Sequence, residues 1–182
     1  MTLIYKKCPN CGSNNTVKLV HGLSRGQKIE RHENDVDDGN PEYCCGDCNF
    51  KWSRQDIIDH AYKKISSIKA FVGGFFGASY EIELDLKNNL LIWNGREEGV
   101  QESLSKALRL EENKWILEEL KAINLLEWKA KYIEPYVCDG TQWRVDIETP
   151  NKTIHKYGSN KYPREWEAFC RIIEYLSQRN FQ

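Results

Sequence analysis

Two Cys-x-x-Cys pairs constrain this chain more than any other feature: Cys8-Pro9-Asn10-Cys11 and Cys45-Gly46-Asp47-Cys48. Two residues between cysteines let a tight turn aim both sulfurs at one point while its backbone N–H groups face them, and two such turns complete a tetrahedron. Gly12 and Asn49 follow the two turns, at positions where a left-handed backbone is least costly. The pattern therefore predicts one structural zinc ion held by Cys8, Cys11, Cys45 and Cys48. Four thiolates leave no coordination position for water or substrate, which separates such a site from a catalytic zinc.

Other assignments of the sulfurs compete with this one. A redox Cys-x-x-Cys is expected once rather than twice, at a strand-to-helix junction. Cys44 adjoins Cys45, but only Cys45 keeps a two-residue gap to Cys48. His21 and His32 lie between the pairs and are alternative ligands. The 33 residues between Cys11 and Cys45 exceed the usual spacing of a four-cysteine ribbon, so a segment is inserted there. Thr16–His21 alternates like a strand, whereas residues 22–41 carry glycine, asparagine and the run Asp35, Asp37 and Asp38 without periodicity, as an acidic solvated loop would.

Over residues 8–52, the Cys-Pro-Asn-Cys-Gly-Ser start, the Val-Lys-Leu-Val-His-Gly stretch and the Cys-Gly-Asp-Cys-Asn-Phe-Lys-Trp end resemble a bacterial zinc ribbon with a long hairpin insertion. The resemblance implies a metal and a small β-fold, and no particular partner. Asn49 stands where such ribbons more often carry glycine.

The rest of the chain is long enough for a core of its own. Residues 1–64 hold ten Lys/Arg against nine Asp/Glu, and residues 65–182 hold 16 against 18, so neither part has the cationic excess of a typical nucleic-acid binder. No apolar run approaches a membrane span and no apolar leader precedes Cys8, which predicts a cytoplasmic protein without membrane contact. Seven cysteines, five of them within the first 48 residues, fit metal ligation in a reducing compartment better than a disulfide framework.

The expected fold class is α+β: a small zinc ribbon (1–53), a connecting helix (54–69) capped by Ser53 and Asp56, and an α+β domain (70–182) whose antiparallel sheet of two hairpins carries helices on one face. Tyr80, Ile82, Leu84 and Leu86 alternate with polar residues as one strand, and Leu90–Trp93 returns after Lys87-Asn88-Asn89. Residues 100–110 are expected as a helix, followed by a stronger one over 112–128. Trp143, Val145 and Ile147 alternate in a second hairpin with residues 153–157, turned by Pro150-Asn151-Lys152. A final helix runs from Pro163 to Arg179 with Trp166, Phe169, Cys170, Ile173 and Leu176 as its buried stripe.

The two ends of that second hairpin, around Asp139-Gly140-Thr141-Gln142-Trp143 and Tyr157-Gly158-Ser159-Asn160, should be neighbours. Asp139, Thr141, Gln142, Tyr157, Ser159 and Asn160 then form a candidate ligand- or peptide-binding cluster, unless they are spent on turn and cap hydrogen bonds. With Phe75-Phe76-Gly77-Ala78-Ser79-Tyr80 and Trp128-Lys129-Ala130-Lys131-Tyr132 upstream, residues 71–176 are similar to a bacterial domain marked by DGTQW and YGSN-YP signatures. That resemblance implies a compact domain and carries no activity.

No nucleophile elbow, zinc-protease helix, phosphate loop or dinucleotide fingerprint is present, and the four histidines have no assignable partners. The residues point to a binding or adaptor module for a protein or small ligand. Nucleic-acid binding through Lys18, Arg25, Lys28, Arg31, Lys51 and Arg54 of the ribbon is the alternative, and an enzyme built on Cys138 beside Asp139 and His155 a third.

Overall fold

The computed structural model describes residues 6–19, 41–74, 77–136 and 140–182. The chain divides into two compact units, Thr2–Ala61 and Tyr62–Gln182. The α+β class holds, with a three-stranded sheet in the first unit and a seven-stranded sheet in the second.

The first unit contains β1 (Thr16–Lys18), β2 (Tyr43–Cys45) and β3 (Lys51–Trp52), paired antiparallel in that order. Helix α1 (Arg54–Lys63) follows and crosses the boundary between the units. Ser53 caps it as expected: its N–H donates to Asp56 Oδ2 at 2.8 Å while its hydroxyl oxygen accepts from the Asp56 N–H at 3.2 Å, a reciprocal pair that satisfies two helix-end donors. The apolar centre of this unit consists of Tyr43, Trp52 and Ile57 packed with Cys8 and Cys45.

The expected helix over 54–69 stops at Lys63, because residues 67–73 are claimed by the sheet as β4 (Ser67–Gly73). The spacing of Ile65 and Ile68 satisfies a helix period, but Ile68, Ala70 and Val72 also alternate. Pairing with a strand on each side of β4 settles the choice. Strands β5 (Ser79–Asp85) and β6 (Leu90–Glu97) form the first hairpin where alternation placed it.

Residues 100–110 are not a helix. Val100–Ala107 is strand β7, paired with β6 through a tight turn at Glu98 (φ 47°) and Gly99 (φ 84°), and α2 starts only at Leu110. Two successive positive φ values produce the mirror-image turn whose twist matches a hairpin, so the short Glu-Gly link, rather than the weakly patterned strand, carried the signal.

Helix α2 (Leu110–Ala122) buries Ile116 and Leu120 and ends before Asn124, whose left-handed backbone (φ 51°) leads into a 3-10 turn at Leu125–Glu127. Strand β8 (Lys131–Ile133), the hairpin β9 (Gln142–Thr149) and β10 (Lys152–Ser159), and helix α3 (Trp166–Ser177) complete the chain. The strand order is β7-β6-β5-β4-β9-β10-β8. The expected two hairpins are present, extended by β4, β7 and β8, and β8 runs parallel to β10, so the sheet is mixed.

Alternation sends Ile68, Ala70, Val72, Ile82, Leu84, Leu91, Val145 and Ile147 to one buried face. Helix α3 covers it through the expected stripe. Trp143 and Trp166 rings lie 4.7 Å apart, Trp128 and Phe169 5.6 Å, and Trp93 Nε1 donates to the Asn180 carbonyl at 2.9 Å. Gly158 lies opposite Trp143, where a Cβ would sit 2.2 Å from the indole nitrogen, so only glycine lets the ring lie flat there. No helix among the described residues is long and apolar enough to cross a membrane.

Lys156 is the exception on this face. Fully buried, it donates from Nζ to the carbonyls of Leu126 at 3.2 Å and Trp128 at 2.5 Å, tying the 3-10 turn to β10, and burial brings its ammonium down to about 8.

Candidate metal centre

Each half of the cysteine cluster is built by a turn that the flanking backbone locks. On one side the Gly12 N–H donates to the Cys8 carbonyl and the Cys8 N–H to the Ser13 carbonyl, both at 2.9 Å. On the other the Asn49 N–H donates to the Cys45 carbonyl at 3.0 Å and the Cys45 N–H to the Phe50 carbonyl at 2.9 Å. The two turns repeat one geometry, including a left-handed residue after the second cysteine, Gly12 at φ 73° and Asn49 at φ 57°. Asparagine tolerates this region because its short side chain adds little steric cost, so the departure at Asn49 leaves the turn intact.

The halves are joined by polar contacts from Asp47. Its carboxylate accepts from the Ser13 hydroxyl and from Asn15 Nδ2 at 2.6 Å, which holds its pKa below the ordinary carboxylate value. The Gly46 N–H donates to the Asn15 carbonyl at 2.8 Å. Beneath the sulfurs Tyr43 and Trp52 stack at 5.8 Å.

The four sulfurs all lie within 4.8 Å of one another, with Cys8 to Cys48 and Cys11 to Cys45 each at 3.6 Å. Metal–sulfur bonds of about 2.3 Å in a tetrahedron place sulfurs roughly 3.8 Å apart, so the set fits a four-coordinate metal ion. The charges agree with the geometry. The Phe50 N–H and then the Asn10 amide bring the Cys48 thiol down to about 6. Cys11, although the Ser13 N–H favours its thiolate, is pushed up to about 12 by the Cys48 sulfur and burial. Crowded thiols cannot all ionise unaided, whereas a cation among them would permit it.

Cys44 projects from the other side of β2, with its thiol toward the Cys45 carbonyl at 3.7 Å, and takes no part in the cluster. His21, His32 and the Asp35–Asp38 run lie outside the described residues, as does Cys138.

The described residues of the second candidate cluster meet at one end of the β9–β10 hairpin. Asp139 lies outside the described residues. Thr141 and Asn160 close the hairpin end: the Thr141 N–H donates to Asn160 Oδ1 at 2.9 Å and the Asn160 N–H to the Thr141 carbonyl at 3.0 Å, with Asn160 left-handed at φ 53°. Gln142 Nε2 donates to the Ser159 hydroxyl at 2.8 Å, and these two share the solvent-facing side of the sheet with Tyr157.

That face carries more than the hairpin end suggested. Phe71, Arg144 and Tyr157 lie side by side across β4, β9 and β10. Below them Lys69 Nζ stands 3.3 Å from Glu83 and 3.7 Å from Glu148, while Asp146 lies 2.9 Å from Arg144 Nε and 2.8 Å from His155 Nδ1. The sequence does not reveal this row, because it depends on the pairing of β4 with β9, a partner far along the chain. A cavity of about 580 Å³, lined by Ser79, Tyr80, Arg96, Glu97 and Glu98 with neighbouring glycines, was also unforeseen. Gly74, Gly77 and Gly99 also line it.

A scan against protein-family models finds no match to this chain, and a comparison with curated proteins finds none either.

Proposed function

We propose that the chain is a zinc-stabilised binding or adaptor protein of a reducing, cytoplasmic compartment, with a four-thiolate zinc holding the first unit together and the solvent-facing side of the seven-stranded sheet contacting a protein partner. The observation that carries the reading is the closed donor set: four sulfurs within 4.8 Å of one another fill a tetrahedron. Zinc suits such a site because four thiolates in that geometry favour it among the abundant divalent ions. Two repeated turns that bring their four sulfurs together support the ribbon reading of residues 8–52.

A protein partner is favoured over a phosphate backbone by the charge on the sheet. Lys69, Arg144 and His155 face Glu83, Glu148 and Asp146 within the same surface, so few cations remain to release counterions from nucleic acid. Phe71 and the partly exposed Tyr157 supply the aromatic contact area that protein interfaces use.

Elemental analysis with native mass spectrometry on protein purified without added metal tests the first half. One zinc per chain, kept in Cys44→Ser and lost in Cys45→Ser, is expected, and a metal-free protein or a disulfide between the pairs refutes it. For the second half, partners captured by the wild type should be lost by Tyr157→Ser/Arg144→Ser. Retention of the same partners by that variant removes the sheet face from the reading.

A further inference from the structure

The two edges of the seven-stranded sheet are treated differently. At one edge β8 is only three residues long and is followed by Pro135, a short edge that offers little for another strand to join. The other edge, β7, is eight residues long, contains no proline, and pairs with β6 without a bulge from Val100 to Ala107. Natural sheets guard such an edge with lysines, prolines, bulges or a covering segment. Here Gln101, Ser103, Ser105 and Ala107 are exposed and uncharged.

The one lysine of the strand is held away from guard duty. Lys106 Nζ stands 3.1 Å from Glu112 and donates to the Leu176 carbonyl at 3.1 Å, so its charge is drawn toward the helices. Glu102 is likewise engaged with Arg179 at 3.7 Å.

The alternation of the ladder fixes which backbone groups are free. The Leu108 N–H donates to the Asn89 carbonyl at 2.7 Å, one step beyond the pair Ala107 with Leu90, so even-numbered residues of β7 turn their N–H and C=O groups to β6. The odd-numbered residues, Gln101, Ser103, Ser105 and Ala107, turn theirs outward.

We propose that β7 pairs antiparallel with β7 of a second copy of this chain, about a two-fold axis at Leu104. That register brings Gln101 opposite Ala107 and Ser103 opposite Ser105, joining only outward-facing backbone groups, and it uses the strand from Gln101 to Ala107. It also sets Glu102 opposite Lys106 of the second copy, twice by symmetry, so no like charges are apposed, and each pair adds a cross-strand attraction to the contacts that Lys106 and Glu102 already make with Glu112 and Arg179. The self-complementarity selects a second copy over an unrelated extended peptide as the occupant. The result is a continuous sheet across two chains, independent of the metal and of the partner face proposed above.

Sedimentation equilibrium of the full-length protein over a concentration series tests this. A monomer–dimer equilibrium is expected, weakened at least about tenfold by Ser105→Pro. That substitution removes only an outward donor, so far-UV circular dichroism should stay unchanged. A second pair of variants guards against misfolding. Ser103→Lys/Ser105→Lys and Ser103→Glu/Ser105→Glu should each be monomeric alone and should associate when mixed, because the register places these positions opposite each other. A wild type that stays monomeric throughout, an association indifferent to Ser105→Pro, or charge variants that fail to pair when mixed would overturn the proposal. A monomer that instead captures an extended peptide along β7 would overturn it as well.

Discussion

The two units solve the problem of a small core in opposite ways. The first has Tyr43, Trp52 and Ile57 as its apolar centre, completed by Cys8 and Cys45 from the thiol cluster, so its tightest packing is organised around donor atoms. The second is organised around rings and aliphatic side chains, with Trp128, Trp143, Trp166 and Phe169 in mutual contact beneath a sheet of seven strands. A few dozen residues bury too little apolar surface to offset the entropy of ordering them, whereas a body of over a hundred residues does so without help. One unit should therefore depend on coordination and the other should ignore it.

Metal removal separates them most sharply. A chelator should unfold the first unit, because apparent binding energies of about 10–16 kcal/mol for structural zinc are folding energies in such modules, while amides of β4–β10 keep their protection in hydrogen exchange. Equal loss of protection in both units would collapse the contrast. Trp143→Ala tests the converse: emptying the centre of the ring cluster should cost the second unit about 3–5 kcal/mol in denaturant unfolding, with zinc content unchanged.

A smaller effect comes from Lys156, whose pKa falls from 10.5 to about 8 in the folded chain because burial penalises its charge. Between pH 8 and 10.5 the unfolded chain binds more protons than the folded one, so stability of the second unit should rise with pH in that window, by about 3 kcal/mol. Below pH 8 both states are protonated and the full penalty stands. Lys156→Met should flatten the rise, and a wild-type curve that falls across this window would contradict the assignment. The smallest effect is expected at the hairpin end: Asn160→Ala loses the acceptor for the Thr141 N–H and leaves a left-handed alanine, which costs about 1–2 kcal/mol in thermal unfolding.

Much of this was legible in the residues. Spacing alone identified the four cysteines that cluster, separated Cys45 from Cys44, and marked Gly12 and Asn49 as left-handed, because a Cys-x-x-Cys turn leaves little freedom in where its residues fall. Strict alternation placed β5, β9 and β10, and the stripe from Trp166 to Leu176 placed α3. What stayed hidden depended on partners far away in the chain. Residues 67–73 satisfy a helix period and a strand period equally, and only β5 and β9 on either side decide between them. Val100–Ala107 has one free edge and no buried apolar run, so alternation had nothing to write there. At the hairpin end the direct bonds between Thr141 and Asn160 were not legible either, because they depend on the left-handed turn geometry of Asn160.

The position of β4 at the centre of the sheet also governs how the chain reaches its final state. Its two neighbours come from very different times in synthesis: β5 follows within a few residues, while β9 pairs Ser67–Gly73 with Gln142–Glu148. The meander β4–β7 is able to close quickly through local contacts, but it then waits with one flank of β4 bare until the last third of the chain has left the ribosome. Sheet completion is consequently the late, slow event of folding, and the β4 flank is where a chaperone or a neighbouring nascent chain would meet this protein first.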